Sequence, residues 1–379
     1  MKILMVESDL DKGGIGSVVM TLYRSLVLCG ISCDLTYYEG NKPAQCILEE
    51  IKKNGSNVWK LRNIKSAGFW GYISQIQKLC KTNEYTAVHV HTSLLIWIVG
   101  IGARLAGVKK IVGHAHGAKF LNYSQRVLFL LEPIGKLMNQ MVCTDFVSCS
   151  QASAEYTFGK KAVFIPNYIP FKDIEGISIS TAEKLRRQLG FDESMLVFGY
   201  MGSLDGVKKA DFIVEVIEEL RKKDIDAVAL LAGNTQRKDY FQTLIKEKGL
   251  EKYIKLLGFR KDCDILMRVI DYYITASESE GMSVSLVQAQ MLGKPCITSS
   301  LLSPENDLKI GLTLKIDGYD STHWASEIKE KINSGFKAKN EAEAISEISE
   351  SEFSEKVAIN KLLNIYAEGE CRKDARGQK

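Results

Sequence analysis

The chain has no hydrophobic run long enough to cross a bilayer. Its longest apolar stretch after the start, Leu94–Ala103, is interrupted by Arg104 and falls short of the roughly 18 residues that a spanning helix needs. The first apolar run is closed by Glu7, which predicts a buried strand over Lys2–Val6 rather than a secretory leader. We therefore expect a cytoplasmic protein without a membrane-spanning segment.

The cysteines follow no disulfide pattern. There are nine, an odd number at irregular spacings with no C-x-x-C pair, which favours buried free thiols in a reducing compartment. A zinc site built from Cys29, Cys33 and His89 or His91 is conceivable, but the second pair lacks finger-like spacing. The sequence therefore predicts neither a disulfide scaffold nor a zinc finger.

The two common phosphate-binding fingerprints are also absent. No G-x-x-x-x-G-K-[ST] loop occurs, which excludes P-loop enzymes. Gly13-Gly14-Ile15-Gly16 is followed by Val19 where the dinucleotide fingerprint needs a third glycine, so a nicotinamide enzyme is disfavoured. The letters of a metal-binding D-x-D motif at Asp262-Cys263-Asp264 are interpreted as a helix cap.

Positive charge is concentrated in the first half of the chain. Residues 1–170 hold 19 Lys and Arg against 11 Asp and Glu, whereas residues 171–379 hold 31 against 35. A basic half favours an anionic partner such as a phosphate-linked acceptor or an anionic bilayer surface, although ordinary solvated lysines explain it equally well. We expect no nucleic-acid partner.

Apolar runs rich in β-branched residues alternate with amphipathic stretches, which predicts parallel sheets with crossover helices. Two such α/β series follow one another, joined by a proline-containing polar linker near Pro166–Ser180. The predicted fold is two Rossmann-like, doubly wound domains facing a cleft. Domains are expected at 1–168 and 169–350, then a helix over 351–369 packing toward the first domain and a disordered basic tail over 370–379. Predicted strands are Lys2–Val6, Cys33–Tyr38, Ala87–His91, Lys110–His114, Asp145–Cys149, Val163–Ile165, Leu196–Met201, Val228–Ala232, Ile254–Leu257, Tyr272–Thr275 and Pro295–Thr298.

The segment 276–300 is the most informative part of the sequence. A strand at Tyr272–Thr275 leads into Glu280 and Gly281, and a helix is predicted from about Ser283 to Leu292. A helix that begins at the carboxyl end of a parallel strand directs free amides and a positive dipole end toward an anion such as a diphosphate.

At these residues the chain resembles the retaining glycosyltransferases of family four, which adopt the GT-B fold. The family pattern E-G-x-x-x-x-x-x-E-A-x-x-x-G-x-P is matched by Glu280-Gly281, Gln288-Ala289, Gly293 and Pro295. The resemblance implies that Glu280 binds hydroxyls of the donor sugar and that residue 288 binds the ribose. Gln288 replaces the usual second Glu, so we expect weaker or altered nucleotide binding.

A second match is the loop Gly202–Asp211, similar to the family's G-R-L-x-x-x-K-G-x-D. Lys208 falls on the lysine that neutralises the leaving diphosphate, while Ser203 replaces the assisting arginine and Lys209 occupies the glycine position. Loss of one of the two cations matters, because each such charge stabilises the negative charge that develops on the leaving diphosphate by several kcal/mol. A solvated lysine at the start of a helix is the alternative interpretation of Lys208.

The remaining matches complete the predicted site. Segments at Gly233, at Gly258-Phe259-Arg260 and at the double glycine of residues 13–14 resemble family loops in order and spacing. The resemblance assigns catalysis to His116, Lys208 and Glu280, and the acceptor side to Gly13 and His91. Its donor-binding set is Gly14, Gly16, Ser203, Lys209, Gly233, Phe259, Arg260, Gly281, Met282, Ser283, Val284 and Gln288.

Four of the five histidines form two pairs, His89 with His91 and His114 with His116. Alternate positions of a strand point to one face, so metal binding has to be considered for each pair. The resemblance favours other roles: His116 contacts the donor sugar and the reacting centre, and His91 lines the acceptor side. His89 and His114 are expected to support the strands.

The predicted function is metal-independent, retaining transfer of a sugar from a nucleotide sugar, with a uridine-diphosphate hexose or N-acetylhexosamine as donor. The acceptor is expected to be lipid-linked or a saccharide, in surface polysaccharide biosynthesis, and no cofactor is expected. Two alternatives stay open: a GT-B-like nucleotide-sugar epimerase and a non-catalytic nucleotide-sugar-binding protein. Peripheral contact with an anionic membrane is a separate hypothesis, resting on mixed aromatic, aliphatic and basic segments around Trp70–Ile73 and Arg126–Leu131.

Overall fold

The computed structural model describes residues 1–11, 13–117, 125–175 and 178–374. The chain divides into two compact units. Unit 1 comprises Met1–Tyr168 and the segment from Glu352 onward, and unit 2 comprises Ile169–Ser351.

Unit 1 is built on a seven-stranded parallel sheet of order β3-β2-β1-β4-β5-β6-β7. Its strands are β1 Lys2–Val6, β2 Ser32–Tyr38, β3 Val58–Leu61, β4 Ala87–Val90, β5 Lys110–Ala115, β6 Asp145–Ser148 and β7 Val163–Phe164. The helices that connect them are α1 Gly13–Leu28, α2 Gln45–Lys53, α3 Ile64–Ala67, α4 Phe69–Asn83, α5 Ile96–Leu105, α6 Gln125–Val142 and α7 Gln151–Phe158. The chain reverses its direction of winding between β1 and β4, which is where α/β sheets place their ligands.

Unit 2 repeats this plan with six parallel strands in the order β10-β9-β8-β11-β12-β13. Its strands are β8 Leu196–Met201, β9 Ala227–Ala232, β10 Ile254–Gly258, β11 Tyr272–Thr275, β12 Cys296–Ser299 and β13 Thr313–Ile316. Its helices are α8 Phe171–Glu175, α9 Ile179–Gln188, α10 Ala210–Lys222, α11 Lys238–Glu247, α12 Cys263–Val269, α13 Val284–Met291, α14 Ser321–Asn333 and α15 Glu341–Ser349. The switch point of this sheet lies between β8 and β11.

Each sheet is buried on both faces, which is why its central strands are continuous apolar runs. Every residue of β9 is buried, and the side chains of β8, β9 and β11 join those of α10 and α14 in one apolar core. The predicted fold class, two parallel-sheet α/β domains, is confirmed. The expected strands are all present with shifts of one or two residues at their ends, and β3 and β13, both at sheet edges, were not predicted.

The last helix, α16 Glu355–Asp374, belongs to unit 1. The sequence predicts that this helix ends at 369 and that a disordered tail begins at 370, whereas the helix continues to Asp374. A single glycine at 369 costs a helix only about 1 kcal/mol, which is too little to end it. Residues 375–379 lie outside the described residues.

The expected helix cap at Asp262 needs correction. Asp262 holds the position before α12, but its carboxylate makes no capping hydrogen bond. It accepts two hydrogen bonds from the Arg260 guanidinium instead, at 2.8 and 2.6 Å. These bonds lower the pKa of Asp262, because hydrogen bonds from a cation stabilise the ionised carboxylate.

In the described part of the chain, no helix combines the length and the apolar character that crossing a membrane requires.

Candidate functional site

Two ion pairs join the loops that follow β8 and β11 in unit 2. Lys208, the last residue of a short 3-10 helix, places its Nζ 2.7 Å from Oε2 of Glu280. Lys209 pairs with Glu278 at 3.2 Å, and the Glu278 amide donates to the Val207 carbonyl at 2.8 Å. The structure thus brings two of the three predicted catalytic residues into direct contact at the switch point of the sheet.

Glu280 is held from a second side as well. Its Oε1 accepts a hydrogen bond of 2.8 Å from Ser277, whose hydroxyl also lies 3.0 Å from that of Thr275 at the end of β11. The side chain of Glu280 is 12% exposed and that of Lys208 is 21% exposed. Both charged groups therefore reach solvent while their positions are fixed, as residues that bind a polar ligand require.

The N-terminus of α13 is presented without a side-chain cap. Ser283 and Val284 form the predicted helix start, and within the described residues the side chain of Ser283, at the N-cap position, makes no capping hydrogen bond. The Ser283 amide donates to Oδ1 of Asn306 at 2.8 Å, while Ser303 and Asn306 donate to the Gly281 carbonyl. Amides of the first turn beyond Ser283 are therefore available to an anion at the positive end of the helix.

Sequence reasoning missed the residues that hold this helix in place. Asn306 anchors the loop before α13, and the buried Gln290 donates to the Asn306 carbonyl at 2.8 Å and accepts from the Leu308 amide at 2.9 Å. Buried amide side chains are usually fully hydrogen-bonded, so a Gln in the apolar stretch of α13 was the available signal. Met282, in the predicted donor set, is 4% exposed and lies in the same loop.

Glycines at the carboxyl edge of the sheet in unit 2 let its loops approach closely. A Cβ at Gly233 would lie 1.7 Å from the Gly202 carbonyl oxygen, and the Gly233 amide donates to the Gly258 carbonyl at 2.8 Å. Ser203 is exposed and accepts a hydrogen bond at its carbonyl from the Tyr200 hydroxyl. No side chain larger than hydrogen fits at 233, so this glycine is required by packing.

Other predicted donor residues have local partners. Gln288 donates through Nε2 to Oδ1 of Asp264 at 2.5 Å. The guanidinium of Arg260 donates to the Asp262 carboxylate. Phe259 is 59% exposed. The substitution of Gln for Glu at 288 is therefore accompanied by a carboxylate, Asp264, that accepts from the amide.

In unit 1 the loop after β1 contains the predicted glycines. Gly13 has φ +85°, and a Cβ at Gly13 or Gly14 would meet nothing within 4 Å. A Cβ at Gly16 would lie 2.4 Å from the Asp9 carbonyl oxygen, so Gly16 allows α1 to pack on this loop. Gly16 thus has a packing role beside its predicted donor contact.

Glu7, directly after β1, is a buried carboxyl that the sequence did not single out. Its Oε1 accepts from the amide and hydroxyl of Ser8 at 2.7 and 2.6 Å, and its Oε2 has no partner among the described residues. Burial raises the pKa of Glu7 to about 7, against the hydrogen bonds from Ser8, and the charge of Asp9 adds to the rise.

The four strand histidines are all buried in unit 1. His91, predicted to line the acceptor side, is 1% exposed, and its Nδ1 lies 2.8 Å from Nε2 of His116. Burial lowers the pKa of His116 to about 3, with Asn167 opposing the shift by a hydrogen bond. Burial also lowers the pKa of His89, His91 and His114, so all four rings are neutral at pH 7. His91 contacts His116, the third predicted catalytic residue.

The cysteines of the described part are free thiols, except that the side chain of Cys371 is not described. Cys29 is exposed and Cys33 is buried. Within the described residues, the group with metal-ligand spacing contains only histidines, His89, His91 and His114, so the Cys29 and Cys33 zinc alternative has no support.

Both halves of the chain match models of known protein families. Residues 12–170 match the model of Glycosyltransferase Family 4, and residues 181–350 match that of Glycosyl transferases group 1. A putative glycosyltransferase, EpsF, of Bacillus subtilis (strain 168) is 24% identical over 377 residues, covering 96% of each chain. A UDP-Gal:alpha-D-GlcNAc-diphosphoundecaprenol alpha-1,3-galactosyltransferase of Escherichia coli is 25% identical over 286 residues, covering 73% of this chain and 71% of the relative.

Among solved structures, Anabaena Alr3699/HepE in complex with UDP and glucose superposes with a TM-score of 0.78 at 19% identity. The superposition covers 97% of this chain and all of that one, 100%. A likeness at this identity establishes the fold. Together with the matches of both halves to family models, it shows that this chain is an enzyme of the GT-B glycosyltransferase family, with a Family 4 domain followed by a group 1 domain.

Proposed function

We propose that the protein transfers a sugar, with retention of configuration, from a UDP-hexose or UDP-N-acetylhexosamine to a lipid-linked or saccharide acceptor in surface polysaccharide biosynthesis. The observation that carries the proposal is the Lys208–Glu280 pair beside the uncapped start of α13. The relative from Escherichia coli, which is named for UDP-Gal and a diphosphoundecaprenol-linked sugar, supports this class of donor and acceptor.

In this proposal the negative charge that develops on the leaving diphosphate is stabilised in unit 2. The ammonium of Lys208 and the free amides of α13 supply fixed positive charge, and such preorganised groups act most strongly in the transition state. Glu280 accepts hydrogen bonds from hydroxyls of the donor sugar. The bond from the anomeric carbon to the diphosphate breaks, the acceptor oxygen bonds to that carbon on the same face, and the acceptor proton goes to the departing phosphate.

His116, Gly14 and the other residues assigned by resemblance remain predicted contacts. The buried, neutral ring of His116 suits a hydrogen-bonding role toward a sugar better than that of a cation, because burial holds its pKa at about 3. No metal ion enters the proposed reaction.

The experiment is a thermal-shift screen of the pure protein with UDP, UDP-glucose, UDP-galactose and their N-acetyl counterparts, in excess EDTA. A ligand that binds the folded state raises the unfolding midpoint, so we expect a clear increase with UDP and at least one UDP-sugar. Lys208→Ala and Glu280→Ala should lose it. Lys222→Ala is the matched control, because Lys222 also pairs with glutamates, Glu218 and Glu219, but away from the predicted site.

Absence of any shift with uridine nucleotides, or an equal shift in Lys208→Ala, would contradict the proposal. The substitutions at Ser203 and Gln288 make a non-catalytic binding protein the second candidate. That candidate predicts donor binding without transfer to any acceptor, even in the Ser203→Arg/Gln288→Glu variant. An epimerase would instead convert the donor sugar without any acceptor.

We also propose peripheral contact of unit 1 with an anionic membrane. Trp70 is 75% exposed on α4, and Ile134, Leu137 and Met141 are 56%, 57% and 64% exposed along one side of α6. Tyr72 and Ile73, which the sequence placed in the same segment as Trp70, are core residues. The side chains of the other segment, Arg126–Leu131, lie outside the described residues.

Sedimentation with vesicles tests this contact. Vesicles containing phosphatidylglycerol should bind the protein, neutral vesicles should bind it less, and the Ile134→Ser/Leu137→Ser/Met141→Ser variant should bind several-fold less. Leu28→Ser, at an equally exposed position on α1, is the control. Equal binding by the triple variant would contradict the proposal.

A further inference from the structure

Four imidazoles form a two-by-two array in unit 1. Across strands β4 and β5, His89 Nε2 lies 3.2 Å from His114 Nδ1, and His91 Nδ1 lies 2.8 Å from His116 Nε2. Along the strands the ring centroids lie 4.4 Å apart for His89 and His91, whose planes are tilted by 32°, and 4.0 Å apart for His114 and His116, whose planes differ by 26°. In the parallel pairing of β4 with β5, Val90 lies opposite Gly113. The residues that follow them, His91 and His114, are therefore neighbours, and this register creates the array.

Ring nitrogens in this array are left without a hydrogen-bond partner. Nε2 of His91 and Nε2 of His114 are buried, and neither has a partner within the described chain. His91 is 1% exposed and His114 is fully buried. A buried polar atom without a partner destabilises the fold, and native proteins rarely leave two such atoms in one cluster without a ligand.

The ring nitrogens of three of these residues converge. His89, His91 and His114 each offer one nitrogen, and the three atoms lie within 4.8 Å of one another. Zinc with Zn–N bonds of about 2.0–2.1 Å holds its ligand nitrogens about 3.4 Å apart in a tetrahedral site. Small rotations of the rings therefore close the site, and β4 and β5 keep their register.

In two of the three rings, those of His89 and His91, the second nitrogen has the partner that a metal-bound imidazole normally has. Ligand histidines donate their other N–H to a neighbouring group, which fixes the ring and its tautomer. His91 already bonds His116 through Nδ1, and His89 bonds the Tyr366 hydroxyl through Nδ1 at 2.6 Å. Binding through Nε2 leaves both of these hydrogen bonds in place, and His89 gives up only its longer one, to His114.

We propose that His89, His91 and His114 bind one divalent first-row transition-metal ion, zinc or a close relative, within unit 1. Imidazole is a preferred ligand of zinc, copper and nickel, whereas magnesium and calcium prefer oxygen. The ion has no step in sugar transfer, and the proposal does not depend on the donor or acceptor. Its place is a structural one, between two central strands and the α16 helix that supplies Tyr366.

The test uses the full-length protein without a polyhistidine tag, produced in zinc-supplemented medium because the site is buried. Metal analysis of the purified protein should find about one zinc per chain, and exhaustive chelation should lower the unfolding midpoint by several degrees. Cobalt added to the chelated protein should give the visible absorption of a four-coordinate site, in which a water molecule completes the three imidazole ligands. His91→Asn and His114→Asn should lose at least nine-tenths of the bound metal.

His323→Asn is the matched control, since His323 is the fifth histidine of the chain and is exposed on α14 in unit 2. This variant should keep its full metal content. Wild-type protein that holds less than about a tenth of one equivalent would overturn the proposal, whatever the variants do. Metal retained by a His91→Asn protein with an unchanged circular dichroism spectrum would overturn it as well.

Discussion

Single residues decide how far this chain follows its family at the donor site. The motif predicted that residues 208, 280 and 288 act together, and the contact of Lys208 with Glu280 was foreseeable from the two matched loops alone. The hydrogen bond from Gln288 to Asp264 was not foreseeable. It joins two helices, α12 and α13, whose relative placement is set by the sheet and not by local sequence.

This pair leads to a prediction about nucleotide affinity. Gln288→Glu alone places two carboxylates in contact, and like charges repel by about 1 kcal/mol at an exposed site. The double variant Gln288→Glu/Asp264→Asn restores one carboxylate and one amide in exchanged positions. Isothermal titration with UDP should show roughly fivefold tighter binding by the double variant than by Gln288→Glu. Equal affinities would show that Asp264 does not act on residue 288.

Glu7 predicts a pH dependence of stability. Burial raises its pKa from the ordinary value of 4.5 to about 7, so the folded state holds a proton that the unfolded state has lost. The free energy of unfolding therefore falls as the pH rises from 4.5 to about 7, and this group does not change it at lower pH. Removing the titrating group in Glu7→Gln should relieve the loss.

Urea unfolding at pH 5 and pH 8 measures this effect. The stability of Glu7→Gln relative to the wild type should rise by about 2 kcal/mol between the two pH values, at about 1.4 kcal/mol per pKa unit. Glu49→Gln, at an exposed glutamate on α2, is the control and should show no such change. A pH-independent difference for Glu7→Gln would contradict the account.

At the scale of elements, the central strands were predictable because burial on both faces leaves a continuous apolar run. Helix α13 was predictable because Glu280 and Gly281 precede it and Gly293 and Pro295 follow it. The edge strand β3, with Lys60 exposed at its centre, carries no such run, and the exposed Lys315 similarly interrupts β13. Edge strands form because a neighbour supplies backbone partners, and sequence pattern alone does not record this. For the same reason the histidine array was predicted as two separate pairs and not as one cluster.

At Gly233 two strand-end loops of unit 2 lie too close together for a side chain. Gly233→Ala would put a methyl group 1.7 Å from the Gly202 carbonyl oxygen at a φ of +155°, so the loops must separate. We expect a loss of at least about 3 kcal/mol in the free energy of unfolding, measured by chemical denaturation. Gly14→Ala, with nothing within 4 Å, should be neutral or slightly stabilising. Similar stabilities of the two variants would contradict the packing role of Gly233.

For the molecule as a whole, unit 1 depends on a segment that is distant in sequence. Glu355 accepts a hydrogen bond from Ser25 at 2.6 Å, Phe353 packs edge-on against Phe164, and Tyr366 bonds His89. The division of the chain near Tyr168 follows from the linker composition, whereas the return of α16 to unit 1 follows from contacts more than 180 residues apart.

Truncation after Ser351 should therefore weaken unit 1 and spare unit 2. Hydrogen exchange followed by mass spectrometry should show faster exchange in α1, β4 and β7, which lose their contacts with the segment after Ser351, while β8, β9 and β11 keep their protection. Uniform loss of protection in both units, or none in unit 1, would contradict this division.

The most direct measurement is a crystal structure of the protein with UDP, grown in EDTA. The account predicts a diphosphate oxygen within hydrogen-bond distance of the Lys208 ammonium and of first-turn amides of α13, with the ribose beside Gln288. A nucleotide bound away from the Lys208–Glu280 pair, or bound only through an added metal ion, would contradict the assignment.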